Sequence, residues 1–319
     1  MKAGYMAVPC DPQQTKVVLI AGGRSGEREI SLASGDGAYQ ALCEAGFQVD
    51  RVDPAYKEDL LKLLTNEYDV AFLALHGKYG EDGTMQGMLE ILGIPYIGPG
   101  VWSSATAIDK PKAKVYYSKN NIPTPISFVL TAKTEKTAEQ IAEEIGTDCV
   151  IKAATEGSAL GVYICHSVSD INQALDEVFT IEKKALVEAF IEGDEFTVAV
   201  LGNDTVEALP VIKIIPVNEF YDFESKYAPG GSKHVCPAPL SDKQTATLKS
   251  LAEKAHECLG CRGMSRTDFI IDANGKAWAL ETNTIPGMTQ TSLLPDAAKA
   301  EGISFPELCT KLVNFALEK

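Results

Sequence analysis

The chain has 319 residues, of which 45% are hydrophobic and 23% are charged, and its formal net charge is −15. This composition is typical of a globular protein of two or three domains and excludes extended disorder. The negative charge argues against nucleic acid or an anionic membrane as the main partner, since both are bound through positive surface. No run approaches the roughly 20 apolar residues that cross a membrane. The cysteines lie mostly in apolar patterns, so we expect a cytoplasmic protein with reduced thiols.

The first third of the chain alternates apolar runs with helical patterns. The extended runs cover residues 16–21, 47–53, 69–75 and 95–98. The first helical pattern ends near residue 46, and the next two cover residues 57–66 and 84–92. This alternation predicts a doubly wound parallel sheet with helices on both faces. Ligands of such sheets bind beyond the carboxyl ends of the strands, where residues 22–27 and 76–84 fall.

A small α+β module follows residue 110, and hairpins follow residue 195. The module has predicted helices at 112–120, 136–145 and 170–180 and strands at 127–130, 149–152, 162–165 and 185–188. Strands at 196–201 and 206–212 come next, then an irregular stretch, 216–239, and a helix at 243–259. Loops of this length are usually lids or binding loops. We predict three domains, at residues 1–110, 111–190 and 191–319.

The dipeptide Asn274-Gly275 separates two apolar runs and predicts a hairpin with a type I′ turn. With that turn at the centre, Asp268 lies opposite Glu281 and Arg266 lies opposite Asn283. Because side chains alternate faces with a period of two, all four project from one face at the open end of the hairpin.

Two facing carboxylates repel each other and destabilise the hairpin, and a divalent cation bound between them would remove this repulsion. Carboxylate and amide oxygens suit magnesium, which usually shares its coordination sphere with water and substrate phosphate. A solvated strand end, with both carboxylates pointing into water, explains the same pattern, and the hairpin alone leaves both interpretations open.

Two glycine-containing loops are candidates for binding phosphate. Lys152 stands at a predicted strand end and is followed by a loop that reaches Gly161, while residues 22–26 read Gly-Gly-Arg-Ser-Gly. Neither loop has the spacing of a P-loop or of a dinucleotide fingerprint. By themselves such loops are more often simple connections.

Taken together and in chain order, several stretches resemble the D-alanine–D-alanine ligase family of the ATP-grasp superfamily. The resemblance runs from about Lys16 to the carboxyl terminus. The stretches are Gly22-Gly-Arg-Ser-Gly-Glu-Arg-Glu-Ile-Ser31, Ala74-Leu-His-Gly77, Gly80-Glu-Asp-Gly-Thr84, Asp109-Lys110, Glu156-Gly-Ser158, Tyr221-Asp-Phe-Glu-Ser-Lys-Tyr227, Ser265-Arg-Thr-Asp268 and Glu281-Thr-Asn-Thr-Ile-Pro-Gly-Met288.

The resemblance implies an ATP-grasp architecture, in which the parallel-sheet domain is followed by two α+β domains that sandwich ATP. It implies ATP-dependent joining of two D-alanine molecules through an acyl phosphate, for peptidoglycan precursor synthesis. The implied cofactors are ATP and two Mg²⁺ ions, with Mn²⁺ as a possible substitute, and the implied assembly is a homodimer.

The resemblance also assigns roles to individual residues, several of which would otherwise be ordinary solvated positions. The metal ligands are Asp268, Glu281 and Asn283. The ATP-binding residues are Lys110, Lys152, Glu188, Phe190, Glu195 and Lys226. Glu27, with Ser158 and Tyr227, meets the ammonium of the first D-alanine, and His76 lies near its carboxylate. Ser292 and Leu293 meet the second D-alanine, although Ser292 could equally cap the following helix. Arg266 and the Gly287 backbone N–H stabilise the oxyanion.

Other functions stay open from the sequence. The rivals are a D-alanine:D-lactate ligase, another ATP-grasp carboxylate-amine ligase, a noncatalytic nucleotide-binding module and a dinucleotide oxidoreductase. The Lys226-Tyr227 pair favours the dipeptide former, and the four hairpin residues argue against a noncatalytic module. Phe223, Ala159 and Thr155 depart from the residues common in the family. None of the three is a proposed metal ligand.

Overall fold

The computed structural model describes residues 10–157, 160–216 and 232–318. Its first part contains a parallel sheet in which one central strand lies between the other two, in the order β2-β1-β3. Alternating helices follow the strands, as the apolar pattern predicts. The elements are β1 Lys16–Ile20, α1 Arg28–Glu44, β2 Gln48–Val52, α2 Lys57–Thr65, β3 Val70–Leu73, α3 Thr84–Leu92, α4 Val101–Ile108 and α5 Lys110–Lys119.

The second part is a four-stranded antiparallel sheet with two helices, in the strand order β4-β7-β5-β6. This arrangement confirms the predicted α+β module. Its elements are β4 Ser127–Leu130, α6 Ala138–Ile145, β5 Cys149–Ala153, β6 Val162–Cys165, α7 Val168–Ile181 and β7 Ala185–Ala189.

The third part is a larger antiparallel sheet in the order β11-β10-β8-β12-β13, with β9 paired to β8. Its elements are β8 Gly193–Gly202, β9 Val206–Ala208, β10 Ile212–Pro216, β11 Ser232–Val235, α8 Asp242–Cys258, β12 Gly263–Asp272, β13 Ala277–Asn283, α9 Leu293–Ala300 and α10 Phe305–Leu317. No helix among these described residues is long and apolar enough to cross a membrane.

The buried clusters join segments that are distant in the chain. Leu294 and Leu312, from the two last helices, belong to the same buried cluster as Val18 and Leu73 of the parallel sheet. Tyr117 of α5 is fully buried with the third sheet and α8. The domain limits at residues 110 and 190 therefore stay a prediction, while the packing ties the end of the chain to its beginning.

The hairpin β12–β13 confirms the predicted pairs, Asp268 with Glu281 and Arg266 with Asn283, but the predicted turn is wrong. The Gly275 amide donates to the Asp272 carbonyl at 2.8 Å, and Asp272 then pairs with Lys276 around a three-residue loop. Gly275 alone takes the positive φ, of 77°. Such a loop shifts the register by one residue, and a bulge after Asp268 shifts it back.

Two other elements differ from the sequence-based expectation. Helix α4 was not predicted, because its buried face consists of small residues such as Ser104 and Ala107 and lacks a strong apolar stripe. Strand β11 lies inside the stretch predicted to be irregular, where it pairs with β10.

Candidate active site

A cavity of about 450 Å³ opens beside the second and third sheets. Its lining includes four of the predicted site residues, Lys152, Glu188, Phe190 and Glu195. Aliphatic side chains from both sheets, such as Ile270, supply apolar surface. An apolar cleft with a few charged groups is typical of a small-molecule site.

Glu188 is the most buried charged residue of this cavity, with 1% of its surface exposed. Its carboxylate forms ion pairs with Lys152 and with Lys114, whose Nζ lies 2.8 Å from Oε2. Burial acts to raise the pKa of Glu188, but the two ammonium groups hold it below its usual value. Although burial opposes the charge of Lys152, Glu188 and Glu281 raise its pKa. For Lys114, burial outweighs Glu188 and lowers the pKa.

A narrower cavity of about 100 Å³ continues from the first, since both are lined by Lys152 and Glu195. Lys110 and the hairpin carboxylates Asp268 and Glu281 also line it. Lys110 is buried, donates a hydrogen bond to the Glu156 carbonyl, and places its Nζ 3.6 Å from Oε2 of Glu281. Cations and carboxylates therefore line this passage together.

Asp268, Glu281 and Asn283 meet at the open end of the hairpin. The Asn283 amide nitrogen lies 3.1 Å from Oδ2 of Asp268, and Thr197 donates its hydroxyl to Oδ1 at 2.6 Å. Arg266 binds the same carboxylate in a bidentate manner, with both distances 3.0 Å. Among the described residues no three His, Cys, Asp or Glu side chains are grouped for a metal. The donor set suits magnesium only when the Asn283 amide oxygen is the third ligand.

A second cavity, of about 520 Å³, lies on the other side of the hairpin end. It is bordered by α1, the segment after β13 and the start of α9. Its lining includes seven of the predicted site residues, Glu27, His76, Arg266, Asn283, Gly287, Ser292 and Leu293. The narrow cavity beside Lys110 is linked to this second cavity through a small opening beside Asn283, Glu81 and Gly157.

Glu27 is 8% exposed and lies against the backbone of Gly77, where a Cβ atom would collide with its Oε2. Glu81 lies close by and accepts a hydrogen bond from the Gly77 amide at 2.7 Å. Burial, together with the charge of Glu27, raises the pKa of Glu81 to about 8. Two neighbouring carboxylates suit a cavity that receives an ammonium group.

His76 is buried and connects three segments around this cavity. Its Nε2 lies 2.9 Å from the Ser34 hydroxyl, which also accepts the Met288 amide at 3.3 Å. The backbone of Ile285 also lies near the ring and acts to raise its pKa. Burial, with the nearby charge of Arg266, lowers the pKa of His76 to about 4. A neutral ring therefore holds the segment after β13 against α1.

Ser292 stands at the N-terminal cap of α9, but its side chain makes no capping hydrogen bond. Its hydroxyl instead accepts the Thr289 amide at 3.1 Å and contacts the Thr289 hydroxyl at 2.8 Å. The alternative role as a helix cap is therefore wrong for the side chain. The predicted Ser158, Lys226 and Tyr227 lie outside the described residues.

Sequence reasoning missed three residues of these cavities and their walls. Glu81 belongs to a motif that carried the resemblance, so its signal was present without a role. Lys114 is one helical turn after Lys110, a spacing that places both on one side of α5. His234 lines the second cavity and pairs with Asp296 at 3.0 Å, and only the fold brings these two together.

Family models and known proteins identify the family to which this chain is similar. The model described as the D-ala D-ala ligase C-terminus matches residues 120–314, and the N-terminus model matches residues 51–99. The D-alanine–D-alanine ligase of Desulforamulus reducens is 47% identical, with 95% of this chain and 99% of the relative covered. That of Pelotomaculum thermopropionicum is 44% identical, with 95% and 97% covered.

Solved structures show the same architecture. The D-alanine-D-alanine ligase from Coxiella burnetii has a TM-score of 0.83 and 26% identity, with 96% of this chain and 94% of that chain covered. The D-alanine–D-alanine ligase from Bacillus anthracis has a TM-score of 0.82 and 31% identity, with 95% and 97% covered.

Proposed function

This chain belongs to the D-alanine–D-alanine ligase family, and from that membership and the geometry above we propose that it joins two D-alanine molecules with conversion of ATP to ADP and phosphate. The general role of the family is to supply the dipeptide for peptidoglycan. The observation that carries the proposal is the passage lined by Lys110, Asp268 and Glu281, which leads from the 450 Å³ cavity toward the 520 Å³ cavity.

The 450 Å³ cavity receives the nucleotide. Glu188 accepts from the adenine, Glu195 binds the ribose, and Phe190 packs nearby. Lys152 and Lys110 lie toward the hairpin end, where the phosphates extend. Phosphoryl transfer depends mainly on positioning and charge neutralisation, so these cations supply locally what a chain of net negative charge lacks overall.

The 520 Å³ cavity receives the two amino acids. Glu27 pairs with the ammonium of the first D-alanine, while His76 orders the wall beside its carboxylate. That carboxylate attacks the γ-phosphorus of ATP, and the product is an acyl phosphate with release of ADP. The amine of the second D-alanine, held by Ser292 and Leu293, then attacks the acyl carbon, and phosphate leaves after loss of a proton. Arg266 and the Gly287 amide stabilise the oxyanion of that step.

Asp268, Glu281 and the Asn283 amide oxygen would hold two Mg²⁺ ions, and Mn²⁺ is a possible substitute. Bound there, the ions would neutralise the phosphate charge that develops during transfer. In this structure Arg266 binds both carboxylate oxygens of Asp268. We therefore expect metal binding to reposition the Arg266 side chain toward the substrate cavity.

The test is phosphate release from Mg-ATP with D-alanine, L-alanine or no amino acid, with and without excess EDTA, and with product identification by mass. We expect release that requires D-alanine and metal and yields D-alanyl-D-alanine. A folded protein that binds ATP but shows no D-alanine-dependent release contradicts the proposal. D-alanyl-D-lactate as the main product at neutral pH, when both acceptors are offered, contradicts the choice of acceptor.

We also propose that the protein acts in the cytoplasm as a homodimer and that it divides into domains at residues 1–110, 111–190 and 191–319. Light scattering after size exclusion tests the assembly. A mass of about 34 kDa would contradict the dimer, because one chain has a mass of 34.3 kDa.

A further inference from the structure

Lys114 is a buried cation to which neither the sequence nor the proposed mechanism gives a role. Only 5% of its surface is exposed, and its Nζ lies 2.8 Å from Oε2 of Glu188. Removing an ammonium group from water costs several kcal/mol unless a partner compensates. Here the partner is the most buried carboxylate of the nucleotide cavity.

The remaining contacts of Lys114 reach the wall of the same cavity. Its Nζ donates to the Thr124 hydroxyl at 2.6 Å and to the Pro125 carbonyl at 3.4 Å. Thr124 in turn donates to the Ala279 carbonyl of β13 at 2.8 Å. Pro125 and Glu188 line the cavity, whereas Lys114 lies behind them and does not line it. Lys114 therefore fixes two wall residues without facing the ligand itself.

The two lysines that bind Glu188 occupy different places. Lys152 lines both the wide cavity and the narrow passage, where Lys110, Asp268 and Glu281 also lie. A phosphate in that passage competes with Glu188 for the Lys152 ammonium. Lys114 has no comparable partner in the narrow passage, because its other partners are Thr124 and Pro125.

We propose that Lys114 is a positioning residue of the nucleotide site, which holds the Glu188 carboxylate in place for the adenine while Lys152 serves the phosphates. This inference rests on the proposed function, because it takes the ligand of the cavity to be ATP. Lys114 acts through Glu188 and does not touch the nucleotide.

The test is a double-mutant cycle on the full-length protein, with Mg-ATP affinity measured by calorimetry. We expect Lys114→Met to weaken ATP binding about tenfold or more, because the Glu188 carboxylate loses a buried ionic partner and with it its fixed position. The apparent KM for D-alanine stays unchanged. In a Glu188→Gln background the same substitution changes ATP affinity less than about twofold, because the carboxylate that it positions is gone.

Lys112→Met is the matched control. Lys112 lies on the same helix, but its side chain is 63% exposed and pairs with Asp109 at 3.0 Å. We expect this variant to bind ATP as tightly as the parent. A folded Lys114→Met protein with parental ATP affinity overturns the proposal. An equal loss in both backgrounds also overturns it, because the effect would then not pass through Glu188.

Thr124→Val keeps every charge and removes the hydroxyl that accepts from Lys114 and donates to the Ala279 carbonyl, so it serves if Lys114→Met does not fold. We expect roughly threefold weaker ATP binding, the lower end of the scale for one hydrogen bond. Parental affinity in a folded Thr124→Val protein contradicts the proposal. If the parent itself does not bind ATP, the proposed function fails, which is a different result from parental binding that is insensitive to Lys114.

Discussion

Protonation of His76 should destabilise the folded protein in mild acid. The folded-state pKa is about 4, against 6.5 for a free histidine, so the folded state binds fewer protons than the unfolded state between these values. The contribution to stability is fully present above pH 6.5 and is lost as the pH falls through 4. A shift of this size corresponds to about 3 kcal/mol in total and to about 2 kcal/mol at pH 5.

The comparison uses His76→Gln, whose amide can accept from Ser34 and donate to the Ile285 backbone but does not titrate. Urea unfolding at pH 7.5 and pH 5 gives the free energy of unfolding of both proteins. We expect the parent to lose about 2 kcal/mol more than the variant between these pH values. Glu81 acts in the opposite direction, since its raised pKa removes stability as the pH rises from 4.5 through about 8. Both proteins share this effect, so it cancels.

A difference between parent and variant that stays constant with pH would refute the reasoning. It would mean that His76 is already exposed to water or is charged in the folded state.

Three further changes test the substrate and metal sites. Gly77→Ala should raise the KM for the first D-alanine at least tenfold, because the new methyl group displaces Glu27. The control is Gly93→Ala, at a similar φ of 69° but with no neighbour within 4 Å, which should lower the stability of the protein and leave this KM unchanged. Equal KM values for both variants would argue against the placement of Glu27. Arg266→Met should lower kcat about 100-fold, the usual loss for one oxyanion donor, and leave the KM for ATP unchanged. A change in the KM for ATP alone would contradict the role of Arg266 as an oxyanion donor. Glu281→Gln should raise the Mg²⁺ concentration needed for half-maximal rate by about tenfold in a metal titration, and an unaltered titration would remove it from the metal site.

The sequence predicted the pairing of the hairpin for a reason that was only partly right. Alternation of side chains and two facing carboxylates placed Asp268 opposite Glu281, and the structure has that pair. The turn differs because Asp272 accepts amides from both Asn274 and Lys276 through its side chain, which favours a longer loop. The bulge that restores the register lies among apolar residues, where no pattern marks it.

Residues that depend on tertiary contacts were beyond the reach of local patterns. Lys114 on a helix resembles a solvated surface lysine until Glu188 is brought against it from another sheet. Glu81 and Glu27 are distant in sequence, so their mutual influence appears only in the fold. Helix α4 shows the same limit, since small polar residues bury well only where a neighbouring surface already fits them.

The packing of α9 and α10 against the first sheet has a consequence for the order in which the protein can fold during synthesis. Leu294 and Leu312 complete a core that also contains Val18 and Leu73. At ribosomal rates of about 5–20 residues per second, these late residues follow the first sheet by roughly 10 to 50 seconds. During that interval the strands that carry the first substrate site lack part of their cover, so the earliest-made part of the enzyme is among the last to become stable.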